Sequence, residues 1–232
     1  MMRFPFPFRF LLRSICPLIL PGLALGLATG CQSTREDIMD QVQEREYFQP
    51  RNFQGEARLP LTLHRVLLLP LCGGTLVPPE SAAAMEEVFA TELQKQSRFE
   101  VVRISRAECR RRFGAEEFPS VASLPHDFLT TLGRVHAADA VLFIDLTTYR
   151  GYRPLALGVR AKLATVKDPR LLWMIDEIFS ADDPAVSNSV RHFYSGADLA
   201  GIPLDPRHSA LQSPAKFAAY VAAATFNTLP PR

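Results

Sequence analysis

Cysteine is scarce in this chain, with four among 232 residues and no two in a C-x-x-C arrangement. A zinc ribbon or a thioredoxin-type dithiol therefore lacks its ligands or its redox pair. Net charge is small as well. The formal +2 falls to −1 once Arg3, Arg9 and Arg13 are set aside, the only charged residues among the first thirty. A near-neutral body has no electrostatic footprint for nucleic acid, and no such partner is expected. No apolar run reaches the about 20 uninterrupted residues that a spanning helix needs. The stretch from Ile15 to Leu27 is broken by Pro17, Pro21, Gly22 and Gly26. The one glycine pair, in "LCGGT", lacks the G-x-x-x-x-G-K-[ST] spacing of a phosphate loop, and Pro78 and Pro79 follow it. It reads as a turn.

What the first thirty residues do have is the tripartite form of a secretory signal. A cationic front carries the three arginines, the apolar stretch follows, and Ala28, Thr29 and Gly30 precede Cys31. Small residues there let a peptidase draw an extended backbone close to the bilayer. The run "LATGC" resembles the lipobox of bacterial lipoproteins, with Ala28 where leucine is usual and Leu27 one step earlier. The resemblance implies cleavage between Gly30 and Cys31, and diacylglycerol on the Cys31 thiol. It thereby implies a membrane partner reached through acylated Cys31. Gln32 after the cysteine, rather than aspartate, implies the periplasmic face of the outer membrane under enterobacterial sorting.

Residues 31–60 are polar and charged ("REDIMDQVQEREYFQPRNFQGEARLP") and read as a tether standing a domain off the membrane. Residues 61–229 read as that domain. "RVLLLPL", Arg65 to Leu71, is short and continuously apolar, as in a strand buried on both faces. Ser81 to Ser97 places Ala82, Met85, Val88, Phe89 and Leu93 on one helical face, and Glu86, Glu87, Glu92 and Lys95 on the other. "RFEVVRIS" is a second strand and "RAECRRRFG" a short basic helix with a solvated face. Ser123 is read as the cap of a helix through Phe128, Leu129, Leu132 and Val135. "ADAVLFIDLTTY", "LALGVRAKLATV" and "LLWMIDEIFS" follow too closely for crossover helices, so they form an antiparallel meander. Asp183-Pro184 and Ser213-Pro214 are cap and first-turn signals for two final helices. The expected fold is α/β: one mixed sheet of about five strands, starting β-α-β parallel and finishing antiparallel, with helices packed on it.

The stretches "RVLLLPL", "ELQKQSRFEVV", "GRVHAADAVLFIDLTTY" and "VRAKLATVKDPRLLWMIDEIFSADD" together resemble a group of envelope lipoproteins and exported domains. The group holds the curli secretion channel family, the lipoprotein activators of penicillin-binding proteins and the amino-terminal domain of TolB. The likeness spans roughly residues 65–183 and rests on apolar positions and turns, so it implies fold before function. Asp168-Pro169-Arg170 stands where a glycine is common in the group. Channel members carry long hairpin insertions that this chain lacks, which disfavours a pore.

Candidate chemistry is sparse. An exported protein can pair Cys72 with Cys109 in a disulfide; alternatively both are buried thiols acting as small hydrophobes. Cys72 as a nucleophile would need a base, and His64, His126, His136, His192 and His208 are scattered. Asp176, Glu177, Asp182 and Asp183 form the densest acidic group, but strand alternation separates the first two and Asp183 is spent as a cap. No metal, cofactor or catalytic residue is expected. The reading is a non-enzymatic envelope lipoprotein that binds or scaffolds other envelope proteins. Two alternatives stand beside it: a self-assembling subunit of a secretion or polysaccharide-export complex, and an envelope hydrolase using Cys72 or the carboxylates near Asp176.

Overall fold

The computed structural model describes residues 46–195 and 209–232. The signal segment, Gly30, Cys31, the first part of the tether, His208 and the apolar Ile202 and Leu204 lie outside them.

A six-stranded mixed sheet is formed by β1 (Phe53–Gly55), β2 (Arg65–Leu68), β3 (Glu100–Arg103), β4 (Ala140–Arg150), β5 (Ala156–Thr165) and β6 (Leu171–Ser180), in the order β1-β6-β5-β4-β2-β3. β2 runs parallel to both β3 and β4, while β4, β5 and β6 form the expected antiparallel meander. Five helices are described: α1 (Pro79–Lys95), α2 (Arg106–Phe113), α3 (Phe128–His136), α4 (Pro184–Phe193) and α5 (Pro214–Asn227).

Strand alternation divides the core into two layers. Val66 and Leu68 of β2, and Ala140, Leu142, Ile144 and Leu146 of β4, face α1, α4 and α5. Leu67, Leu69, Val141 and Phe143 face α2, α3 and the segment between those helices. Phe89 of α1 meets Phe226 of α5 edge-on at 6.0 Å, and Phe128 packs 4.6 Å from Phe118. Each such fully buried side chain contributes about 1.5–3 kcal/mol of transfer free energy.

The caps follow the sequence signals at two helices. Asp183 accepts from Ala185 N at 2.8 Å and Ser213 from Lys216 N at 3.4 Å, each ahead of a proline in the first turn. α1 starts at Pro79 rather than Ser81, because proline's fixed φ suits the first helical position. Ser123 caps nothing. Pro125 turns the chain first, with Phe128 N donating to Pro125 O at 3.2 Å, and α3 begins only at Phe128. Glu86 and Glu92 leave the wet face assigned to them: Glu92 is buried with Lys95 at 2.6 Å, and Glu86 turns inward.

The domain also begins earlier than residue 61. Residues 46–60 look like tether because they are polar, yet β1 adds a sixth strand at the edge of the sheet. It is held by the backbone: Asp176 N donates to Asn52 O and Glu56 N to Leu172 O, both at 3.0 Å. All three β1 side chains are exposed, so no apolar alternation marks it. The C-terminus extends past residue 229 in the same way. Leu59 N donates to Pro231 O at 2.8 Å, and Arg232 Nη2 to Leu63 O at 3.1 Å.

Candidate functional site

In open α/β sheets, ligands collect beyond the carboxyl ends of parallel strands. Here that place is the run Leu71-Cys72-Gly73-Gly74 after β2. Pro70 has no N–H, so the run leaves the ladder and rejoins it one step on. Cys72 N donates to Ile144 O at 2.9 Å and Leu146 N to Cys72 O at 2.8 Å, setting Cys72 beside Asp145. Gly74 takes a φ of +53°, where a side chain would be strained.

Arg106, the first residue of α2, anchors this end. Its Nη2 donates to Leu71 O at 2.7 Å and Glu86 Oε2 at 2.9 Å, and its Nη1 pairs with Glu117. The two carboxylates in turn accept backbone N–H groups, Glu86 from Leu71 and Glu117 from Gly74, each at 3.3 Å. Ser120 gives Asp145 its N–H at 3.0 Å and its hydroxyl at 2.6 Å, while Lys162 Nζ donates to Ser120 O at 2.9 Å. The network thereby fixes the segment between α2 and α3 onto β4 and β5. Ser105 caps α2 by accepting from Glu108 N, and Arg106 is aimed inward from that first turn. Sequence reading missed it because "RAECRRRFG" looks uniformly solvated. The Ser105 cap, which fixes the start of the helix and hence its faces, was the available signal.

Of the other α2 arginines, Arg110 pairs with Glu116 and Arg112 with Glu108, each at 2.8 Å, and Arg111 is exposed. Arg110 and Arg112 are thus neutralised by carboxylates of the domain.

Cys72 and Cys109 are both free thiols. Burial pushes the Cys72 thiol up to about 12, assisted by the charge and hydrogen bond of Glu117 and the charge of Asp145, against an opposing Arg106. Burial likewise raises Cys109 to about 11. A nucleophilic cysteine needs the opposite environment, one that favours thiolate. The described histidines serve elsewhere: His192 stacks on Tyr47 at 5.0 Å, His136 sits 3.6 Å from Glu108, His126 is exposed beside Asp127, and His64 lies 3.3 Å from Arg232.

The acidic group is likewise dispersed. Asp176 pairs with Arg160 at 2.7 Å and Asp182 with Arg150 at 2.5 Å. Glu177 accepts from Arg51 N at 2.8 Å and Asn52 N at 3.1 Å, fastening the entry to β1. Among the described residues no three His, Cys, Asp or Glu side chains could hold a metal ion, and no helix is long and apolar enough to cross a membrane. The open grooves among the described residues include one of about 260 Å³ bordered by Pro60, Asp139, Lys167 and Arg170, and one of about 510 Å³ lined by residues 46–51 and the start of α4.

No protein-family model matches the chain, and no curated protein matches it in sequence. Among solved structures it is similar to the PelC dodecamer from Paraburkholderia phytofirmans, at 13% identity and a TM-score of 0.46, covering 78% of this chain and 97% of that one. It is also similar to lipoprotein GNA1162 from Neisseria meningitidis, at 18% identity and 0.37, covering 50% and 79% respectively. A third neighbour is the LpoB C-terminal domain from Salmonella enterica, at 14% identity and 0.35, covering 50% and 82%.

Proposed function

We propose that this chain is a lipid-anchored envelope lipoprotein whose α/β domain binds or scaffolds other envelope proteins and catalyses no reaction. One observation carries the reading. At the end of the sheet where an enzyme of this architecture would hold its substrate, the polar side chains are tied to one another and to loop backbone. Arg106, Glu86, Glu117, Asp145 and Ser120 hold loops, and the thiol among them is kept protonated. The "LATGC" motif supports the anchor, with Cys31 as the first residue of the mature chain. Tethering to one leaflet then raises the domain's effective concentration for partners in the same membrane.

The test is genetic and biochemical together. The wild type incorporates palmitate and fractionates with outer membranes, and Cys31→Ser does neither. Cys72→Ala and Asp176→Asn retain the cellular phenotype, and an affinity-tagged acylated chain retains its envelope protein partner. Loss of phenotype in Cys72→Ala or Asp176→Asn, with folding and partner capture intact, refutes the scaffold reading in favour of a hydrolase.

A further inference from the structure

The sheet ends in two edges of different character. At one, β3 carries Glu100 and Arg103, each in an ion pair, with Arg65 at 2.8 Å and with Glu87 at 2.7 Å. Charges so placed keep a free edge from pairing with another chain. At the other, β1 reads Phe53-Gln54-Gly55, without charge or proline, and all three residues are exposed. The ladder fixes what β1 offers. It pairs antiparallel with β6, Phe53 opposite Ile175 and Gly55 opposite Trp173. Asp176 N donates to Asn52 O and Glu56 N to Leu172 O, so residues 52, 54 and 56 turn their backbone groups toward β6. By alternation Phe53 and Gly55 turn theirs outward. Among the described residues, none bonds to the N–H or C=O of either.

The side chains select the occupant. Phe53 and Gly55 share one face of the strand. Phe53 is 42% exposed. Gly55 leaves its own place bare, and a Cβ there would stand 3.0 Å from Pro230 Cγ and 3.3 Å from Trp173 Cδ1. An aromatic ring and a bare glycine, two residues apart on one edge, complement each other under a two-fold rotation. An antiparallel copy centred on Gln54 sets each Phe53 opposite Gly55 of the second copy, and each such pair exchanges both N–H···O bonds. Each ring then covers a glycine across the strands, a pairing that stabilises glycine at a sheet edge. At this register Asn52 falls opposite Glu56 and Arg51 opposite Ala57, so no like charges meet.

We infer that β1 is a self-association edge: a second copy of this chain adds to it antiparallel, with Gln54 on the two-fold axis, and continues the sheet across the pair. The contact is short, so the pair is weak and the dimer fraction rises with concentration.

The test uses the full chain in detergent, with micelles in excess over protein. Residues directly opposite in a non-hydrogen-bonded pair have Cα atoms about 4.5 Å apart, within disulfide reach. Under mild oxidation Gln54→Cys forms a disulfide between the two residues 54, identified by peptide mapping. It does so at least about ten-fold faster than Ala57→Cys, whose copies lie about 20 Å apart at this register. Sedimentation across a concentration series reads the mass. The wild type shifts from monomer to dimer. Phe53→Pro stays monomeric with unchanged circular dichroism, because the N–H it loses points outward. Phe53→Lys keeps the N–H but charges the edge, and it also stays monomeric, which serves where the proline variant does not fold. A wild type that is monomeric throughout, equal cross-linking at positions 54 and 57, or a dimer untouched by Phe53→Lys overturns the pairing.

Discussion

Asp145, on β4, takes both the backbone N–H and the hydroxyl of Ser120, from a segment with no regular structure of its own. Asp145 is 6% exposed, and Ser120 supplies the donors to its carboxylate. A buried charge with its donors in place is tolerated; one stripped of them costs the full desolvation of the group.

Ser120→Ala removes the hydroxyl donor and leaves the N–H. Its expected cost is about 1–2 kcal/mol, and that of Asp145→Ala about 2–3 kcal/mol. Urea unfolding checks both. The midpoint falls and the slope stays constant, because the exposed area on unfolding is unchanged.

Cys72 alkylates slowly at pH 8, since its thiol is held near 12 by burial and by Glu117. Replacing Glu117 with Gln removes one of the causes that raise it and increases the rate of iodoacetamide modification. Cys109, with no exposed surface, reacts only on unfolding. Mass spectrometry of the protein denatured in alkylating agent finds Cys72 and Cys109 both modified.

Arg112, through its hydrogen bond, holds the Glu108 carboxyl below its ordinary range, with the charge of His136 adding to the effect. The unfolded carboxylate titrates near 4.3. The contribution is therefore complete above that pH and is lost as pH falls through the lower folded value. Glu108→Gln flattens this part of the acid limb, as urea midpoints compared at pH 7 and pH 3 reveal.

Ending the chain at Leu229 removes the acceptor for Leu59 N and the Arg232 guanidinium that holds Leu63 O. Limited proteolysis then cuts between residues 55 and 64, while the β4–β5–β6 meander stays protected.

The meander was legible because alternation and short loops leave few other pairings. The β2 run was legible because a strand buried on both faces has no polar position. β1 was not: its side chains are all exposed and its place is set by backbone bonds to β6, a partner some 120 residues away. The Arg106 network was hidden for a related reason. A guanidinium bound to Leu71 O and two glutamates is spelled like one in water, and only the turn of the helix distinguishes them. Asp176 and Glu177 separated as alternation demands, each with a structural partner the sequence could not name. Cys72 and Cys109 are separate thiols in the structure, an arrangement that spacing alone left open.

The seam joining residues 52–63 to β6 and to the last three residues has a consequence for biogenesis. A chain delivered across a membrane amino terminus first presents residues 52–63 long before Leu171–Asp176 and Pro230–Arg232 arrive. That early edge has nothing to zip against until those late residues arrive. The domain therefore cannot close around its own front end before those late residues are made.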